Sequence, residues 1–501
     1  MTDLGLLTED GGLAVALTLL LFGPLLAGVL SWLRSVARWQ AGLLVLLGAA
    51  QFVALLLLSR LILEAEAALT FALGGHAAPL GIELYLDGLS LMLLWLTWLV
   101  GAAVSLYWWG WRLSQSRQLA QLFVVIWLLL WAGLNALLLS GDLFNMYVTL
   151  EICTLAAVAL VAVTRGAEAL TAAMRYLQFA LIGSIFYLLG VALVYAEAGT
   201  LTLSLLHDHQ GGLTWYVALG CMTLGLLVKG ALFPLHGWLP PAHAVAPGPA
   251  SAVLSALVAK AGVYLLLRIW LGPFGASWTP VLAQGMGALG MAGILYASLQ
   301  ALRQPRLKLI IAYSTVAQLG YLLLLIPLVT AGLLAWYGML YQALAHGLAK
   351  AAMFLAAANV IQAIGNDRLD SLAGMDRVLS GNLFVIALAG ISLAGLPPSA
   401  GFLAKWWLIS AALESGQWWW ALGIAVGGLL AAAYVFRLLR FGLLAHDPYA
   451  EVPEHRAVDL PLACLWPPFL LVGLAILLGF TGELLAPLLG AGAPAVIGGQ
   501  P

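Results

Sequence analysis

The chain is a near-continuous series of apolar runs, separated by only short polar stretches. A membrane-crossing helix needs about 20 such residues. Lipid cannot satisfy an open backbone, so each run must be helical. The runs lie near 11–30, 41–63, 86–108, 119–139, 141–163, 171–196, 214–233, 249–270, 281–300, 308–328, 333–359, 382–411, 419–441 and 461–484, which makes fourteen. Only 8% of the 501 residues are charged, against roughly 25% in a soluble protein, so these runs are not soluble cores. The expected fold is an all-α polytopic membrane protein with about 14 transmembrane helices. No basic residue precedes the first run in MTDLGLLTEDGG, which therefore reads as a retained span and not a cleavable signal. Cys153, Cys221 and Cys464 show no metal or redox spacing. No large soluble segment interrupts the spans. No cofactor is expected on the chain, and any redox group would sit on a partner. Membrane lipids are expected neighbours; nucleic acid is not.

Basic residues sort the loops. Arg34 and Arg38, Arg112 and Arg117, Arg165 and Arg175, then Arg303, Arg306 and Lys308, Arg368 and Arg377, and Arg437, Arg440 and Arg456 lie in the turns that follow odd-numbered spans or at the span ends bordering them. The alternate loops carry Glu64, Glu66, His76, Glu197, Asp208 and Glu414. The positive-inside rule places both termini outside, periplasmic in a cell with an inner membrane. An odd span count with one misread pair is the competing arrangement. Arg60 and Arg268 read as helix-end residues that snorkel to the surface.

Lys229, Lys260, Lys350 and Lys405 remain within or beside apolar runs, with Glu151 in LFNMYVTLEICTLAAVALV. A charge at membrane depth costs several kcal/mol and should face protein or water. Such a set either fixes helices by ion pairing or forms an ion path, since a buried lysine readily exchanges its proton. His236 and His243 flank a proline-rich break at 229–249, and His346 precedes Lys350 by one turn on the same helix face. An imidazole there relays protons, fills a structural role or, least in keeping with the spacing, binds a metal. A second break, ISLAGLPPSAGFLAKWW, holds Pro397 and Pro398 ahead of Lys405. Prolines interrupt the helix ladder, and paired broken helices in two halves of a chain mark an inverted repeat around an ion site. The division expected is 1–110 for helices 1–3, 111–270 and 271–441 for two inverted five-helix repeats, and 442–501 for helix 14 and tail. The polar positions then form one row through the bundle: Glu151, Lys229, Lys260, His346, Lys350, Lys405. A carboxylate beside the first lysine stabilises its charged form, and losing that partner would loosen the lysine's hold on its proton.

Several long stretches carry a family resemblance: GIELYLDGLSLMLL at 81–94, LVKGALFPLHGWLPPAHAVAPGPASAVLSALVAKAGVYLLLR at 227–268, LKLIIAYSTVAQLGYLL at 307–323, HGLAKAAMFL at 346–355 and AGLPPSAGFLAKW at 394–406. They resemble the antiporter-like membrane subunits shared by Mrp-type cation/proton antiporters, complex I and membrane-bound hydrogenases. The resemblance implies that Glu151 and Lys229 are a coupling pair and that Lys260 is the central lysine. It implies that His346 and Lys350 are the polar positions of the eleventh helix, with Lys405 the terminal charge of the broken twelfth. Lysine at 405 is as in the Mrp D-type and complex I N-type subunits, and Asp142 in SGDLFNMYVTLE matches the D-type pattern, so the Mrp D-type subunit or a near relative is the nearest resemblance. The histidine in PPAHAVAPGP is a complex I-like and hydrogenase-like trait. Only LLGAGAPAVIGGQP follows the last span, so the lateral helix of the L-type complex I subunit is not expected.

The function this implies is proton translocation within a multisubunit Na+/H+ antiporter, with other membrane subunits as partners. The alternative is the same role in a complex I-like NADH-quinone oxidoreductase or a hydrogenase, where the chain would belong to a translocase while holding no redox site itself. A solute symporter ranks lower, because neutral polar residues would suit it better than a row of lysines. No phosphate loop, cysteine pair or nucleophile arrangement points to an enzyme.

Overall fold

The computed structural model describes residues 3–207, 209, 211–372, 379–443 and 460–498. Asp208, Arg377 and Arg456, used above to sort the loops, lie outside the described residues.

Helices α1 (Asp3–Leu33) and α2 (Ala37–Ala65) open the chain, followed by α3 (Gly88–Trp111), α4 (Arg117–Leu139), α5 (Leu143–Ala162) and α6 (Ala167–Ala198). The seventh crossing is broken into α7 (Leu213–Lys229) and α8 (Leu239–Val245). Then come α9 (Gly248–Leu271), α10 (Pro280–Arg303), α11 (Leu307–Leu323) and α12 (Leu333–Ile364). The twelfth crossing is broken into α13 (Ser380–Ala394) and α14 (Ala400–Glu414), and α15 (Trp418–Leu443) and α16 (Leu462–Leu477) close the bundle. Among the described residues eleven helices are long and apolar enough to cross a membrane, and α7, α11 and α13 are shorter apolar helices. The fourteen expected crossings are thus all present, two of them interrupted.

Short polar residues start several helices by accepting the orphan amides of the first turn. Asp87 takes Ser90 N at 2.9 Å for α3, Ser116 takes Leu119 N at 3.3 Å for α4, and Ser399 takes Phe402 N at 3.2 Å for α14. The stretch before α3, read only as a loop, contains an antiparallel hairpin, β1 (Leu69–Ala72) with β2 (Glu83–Leu86). Its strands are four residues each, too short to stand out from the apolar runs around them.

The loop sides agree with the basic-residue sorting. At one end Arg117 donates to Ser35 O at 2.9 Å, Arg306 pairs with Asp367 at 2.9 Å, and Arg437 donates to Gln304 O at 2.7 Å. At the other, the hairpin end, Gly141 N donates to Glu83 O at 2.9 Å and Leu143 N to Leu201 O at 2.9 Å. There Gly88 N also reaches Ala491 O at 2.8 Å, which ties the segment after α16 to that end.

Helix α9 is buried along its apolar length. With α12 it forms the centre of the bundle, while Leu25, Leu26, Val29, Val45, Leu46 and Leu429 on α1, α2 and α15 point outward. Such faces suit lipid or a neighbouring apolar helix.

A candidate proton path along the broken helices

Helix α7 ends at Lys229 because Pro234 and the left-handed Ala231 (φ 50°) stop the ladder. The freed groups are taken up locally, as membrane burial requires: Leu232 N donates to Leu227 O at 3.0 Å and Trp238 Nε1 to Val228 O at 2.9 Å. Pro240 and Pro241 sit in the first turn of α8, where no amide partner is lost. Across from this break runs Gly262 of α9. A Cβ there would lie 2.6 Å from Gly230 N, so the helix can approach the break only with glycine.

Lys229 Nζ bonds to the Glu151 carboxylate and to Thr154 Oγ1 at 3.3 Å. The lysine side chain is 3% exposed and the glutamate 19%, so the pair stands at the margin of the interior. Ser184 of α6 bonds the same carboxylate oxygen. The expected coupling pair is therefore in contact.

The other three lysines bond to neutral groups. Within α9 a π-turn spans Leu254–Val258, where Ala259 N reaches back to Leu254 O. Lys260 Nζ donates to Ala256 O at 2.8 Å and Ser255 O at 3.3 Å. Lys350 Nζ donates to Ile311 O at 2.9 Å and bonds Ser314 Oγ. Lys405 Nζ donates to Leu393 O at the frayed end of α13 and lies 4.8 Å from the Tyr321 ring. Gly395 makes this possible: its φ of 81° ends α13, and a Cβ would lie 2.5 Å from Lys405 Cδ. His346 has Lys260, Lys350 and Lys405 as charged neighbours, and among the described residues neither ring nitrogen has a hydrogen-bond partner. An ammonium held by neutral acceptors alone costs more than one facing a carboxylate.

Between the charged positions lie links that the sequence reading did not single out. Ser255 Oγ and Thr315 Oγ1 are 2.7 Å apart, joining the π-turn to α11 beside Ser314. Gln342, one turn before His346, donates to Gln318 Oε1 at 2.7 Å, and Gln318 donates to Leu393 O at 3.1 Å, the carbonyl that also holds Lys405. Two cavities of about 10 Å³ flank Lys260, each about the size that holds a single water. Uncharged polar residues inside apolar runs were the only sign of these links in the sequence.

Two sequence readings change, and three secondary positions find their places. Arg268 does not snorkel: it is buried on α9, and its guanidinium grips both carboxylate oxygens of Asp87, which is 0% exposed. Lys308 is not a loop residue: it is buried in the first turn of α11 and donates to Ala246 O at 2.6 Å, satisfying a carbonyl beside Pro247. Asp142 stands apart from the row, at the hairpin end, where it caps α5 by accepting from Phe144 N and Asn145 N at 2.9 and 2.8 Å. The flanking histidines also separate: His243 stacks on Phe354 at 4.6 Å with Lys350 and Lys308 as charged neighbours, whereas His236 packs among Phe233, Tyr296 and Tyr313.

Fourteen crossings, two of them interrupted next to buried charge, define a broken-helix membrane protein of the antiporter-like class. Residues 140–431 match the family described as NADH:quinone oxidoreductase/Mrp antiporter, transmembrane, and the chain belongs to that family. It is 35% identical over 429 residues to the N subunit of NADH-quinone oxidoreductase from Desulforudis audaxviator, covering 82% of this chain and 85% of the relative. It is 30% identical over 417 residues to the D subunit of the Na(+)/H(+) antiporter from Alkalihalophilus pseudofirmus, covering 82% and 83%. Among solved structures it resembles a chain of the Mrp complex from Dietzia sp. DQ12-45-1b, with a TM-score of 0.86, 26% identity, and coverage of 97% and 99%. The likeness is thus shared between the N-type and D-type subunits, where the motifs had pointed to the D-type.

Proposed function

We propose that this chain is the proton-translocating subunit of a multisubunit membrane complex and that Glu151, Lys229, Lys260, His346, Lys350 and Lys405 carry the protons. The observation that supports this most is the unbalanced row. Of its four lysines, Lys229 alone faces a carboxylate among the described residues; Lys260, Lys350 and Lys405 bond to neutral oxygens, with hydroxyls and amides between them and water-sized cavities beside Lys260. A row built only to fix helices would balance its charges. One that passes a proton needs lysines able to take either charge state. Residues 111–270 and 271–441 act as the two repeats; five crossings each put the second repeat upside down relative to the first.

The complex is a cation/proton antiporter exchanging Na+, embedded in the cytoplasmic membrane with both termini outside and other membrane subunits as neighbours. A reporter fused after Pro501 that works only in the cytoplasm would reverse this orientation. The identity to the N-type relative, 35% against 30% for the D-type one, favours as a second reading a proton pump driven by a redox module. One experiment addresses both. The whole complex in sealed vesicles is given a Na+ gradient or, separately, a reduced quinone-linked donor, and proton movement is followed with a pH-sensitive dye. Na+-driven movement that disappears in Lys260→Ala supports the antiporter. Donor-driven movement that disappears in the same variant supports the pump. Unchanged movement in assembled Lys260→Ala would refute the proton row.

A further inference from the structure

At the hairpin end an open cleft of about 350 Å³ lies over the bundle, lined among others by Tyr85, Leu89, Ser204, His207, Leu267 and Arg268. Leu89 and Leu267 also line one of the small cavities beside Lys260, together with Met92 and Tyr264. The same two leucines therefore separate the cleft from the central lysine. Polar groups accompany them along the whole interval. The Tyr264 hydroxyl donates to Leu138 O at 2.9 Å, accepts from Arg268 Nε at 3.0 Å and lies 3.2 Å from Ser90 Oγ. Ser90 Oγ accepts from Arg268 Nη2 at 2.6 Å. The guanidinium sits between the Tyr85 and Tyr264 rings, 4.9 and 5.0 Å from their centres, and closes on Asp87. The span from Lys260 to the cleft is about two turns of one helix, since Lys260, Tyr264 and Arg268 recur at intervals of four on α9.

A buried bidentate ion pair joins residues 181 positions apart. Such a pair adds little stability over apolar packing. Its position beside the Tyr264 and Ser90 hydroxyls, between the cavity at Lys260 and the cleft, suggests another use. From this geometry we infer that Lys260 has its own proton route to the hairpin end of the bundle, through a water, Tyr264 and Ser90, and that the Asp87–Arg268 pair is its gate. The inference rests on Lys260 being a proton carrier. A proton leaves the Lys260 ammonium for the cavity water; the Tyr264 hydroxyl turns its hydrogen from Leu138 O to Ser90 Oγ, and each hydroxyl passes on its own hydrogen as it receives the next. At the gate the proton binds an Asp87 carboxylate oxygen. The neutral acid then no longer holds Arg268 by charge, and the proton can leave from the cleft. The charged and titratable groups around this route are Lys260 and Arg268 on α9, Asp87 ahead of α3, Glu83 and Tyr85 on β2, and His207 at the cleft. On α12, His346 and Lys350 are further titratable neighbours of Lys260, while the α4 positions beside it, Leu134 and Leu138, are apolar.

Tyr264→Phe tests the route, because it deletes a single hydroxyl and keeps the ring. The complete complex is reconstituted with known orientation, and initial rates of proton movement are recorded while pH is varied at the hairpin end with the opposite side fixed, and then the reverse. Tyr264→Phe should lower the response to hairpin-end pH by about tenfold or more and leave the response to the opposite side intact. Ser90→Ala should act in the same direction and stands in if the phenylalanine variant fails to assemble. A wild-type response to hairpin-end pH in both variants overturns the route, as does an equal loss of both responses. The cleft is tested without turnover by Leu89→Cys in a chain whose three native cysteines are serine. A small impermeant thiosulfonate should label it from the hairpin end alone, and no labelling there overturns the opening. Lys260→Ala separates the two readings: if it transports normally, the proton row fails while Leu89→Cys labelling is untouched.

Discussion

Lys229→Arg distinguishes a proton carrier from a structural ion pair. Lys229 faces Glu151, with Thr154 Oγ1 at 3.3 Å as its neutral acceptor. Removing the carboxylate's charge would leave a buried ammonium with that hydroxyl, at about 3–5 kcal/mol for a broken buried pair. Deprotonating an ordinary lysine at pH 7 costs about 4.6 kcal/mol, from roughly 3.4 pH units at about 1.36 kcal/mol each. The two energies are of one size, so on the proposed path the carboxylate would set whether Lys229 keeps its proton. Arginine keeps the charge and the pairing geometry but is never deprotonated. Its bulk has a cost, because a Cβ at Gly183 would already lie 3.0 Å from Lys229 Cγ; overpacking of this kind costs about 1–3 kcal/mol. The assay is dye-monitored proton movement in vesicles matched for assembled complex, with melting temperature read in parallel. Coupled transport in Lys229→Arg should fall about tenfold or more, equivalent to about 1.4 kcal/mol or more on the barrier, with assembly retained. Wild-type transport in this variant would refute obligatory deprotonation at Lys229 and leave the pair a structural one.

Two further outcomes separate packing from transport. His346→Leu removes two buried ring nitrogens that have no partner among the described residues, each such group costing about 1–3 kcal/mol; the melting temperature should hold or rise while coupled transport falls. Asp142→Ala loses both cap bonds of α5, worth about 0.5–2 kcal/mol; the complex should melt earlier yet transport normally, and lost transport at an unchanged melting temperature would give Asp142 a part in transport.

The crossings and breaks were legible because their causes are local. An apolar run long enough to span and a proline inside it are visible in a window of about 20 residues. The six positions proposed for the row were noticed for a related reason, since a charged or titratable residue in such a run stands out alone. Asp87 and Arg268 were harder. Asp87 sits at the edge of its run, where a carboxylate reads as a helix cap, and Arg268 lies near a helix end, where snorkelling is the ordinary outcome. Only their contact across the fold shows that both are buried. Lys308 was hidden by its place among loop arginines. Gln318, Gln342, Ser255 and Thr315 are unremarkable one at a time, and their partners lie on other helices. Their role is a property of the packing.

The π-turn in α9 gives Lys260 a seat whose hydrogen bonds do not depend on its charge. Two carbonyls, those of Ser255 and Ala256, receive its hydrogens. A neutral amine has two hydrogens and can keep both bonds; an ammonium has three, and the spare one is free to reach the adjoining water-sized space. Gaining or losing a proton then leaves the side chain where it was. On the proposed path little rearrangement would accompany each exchange, and the widened turn would act as a fixed cradle for a group whose charge comes and goes.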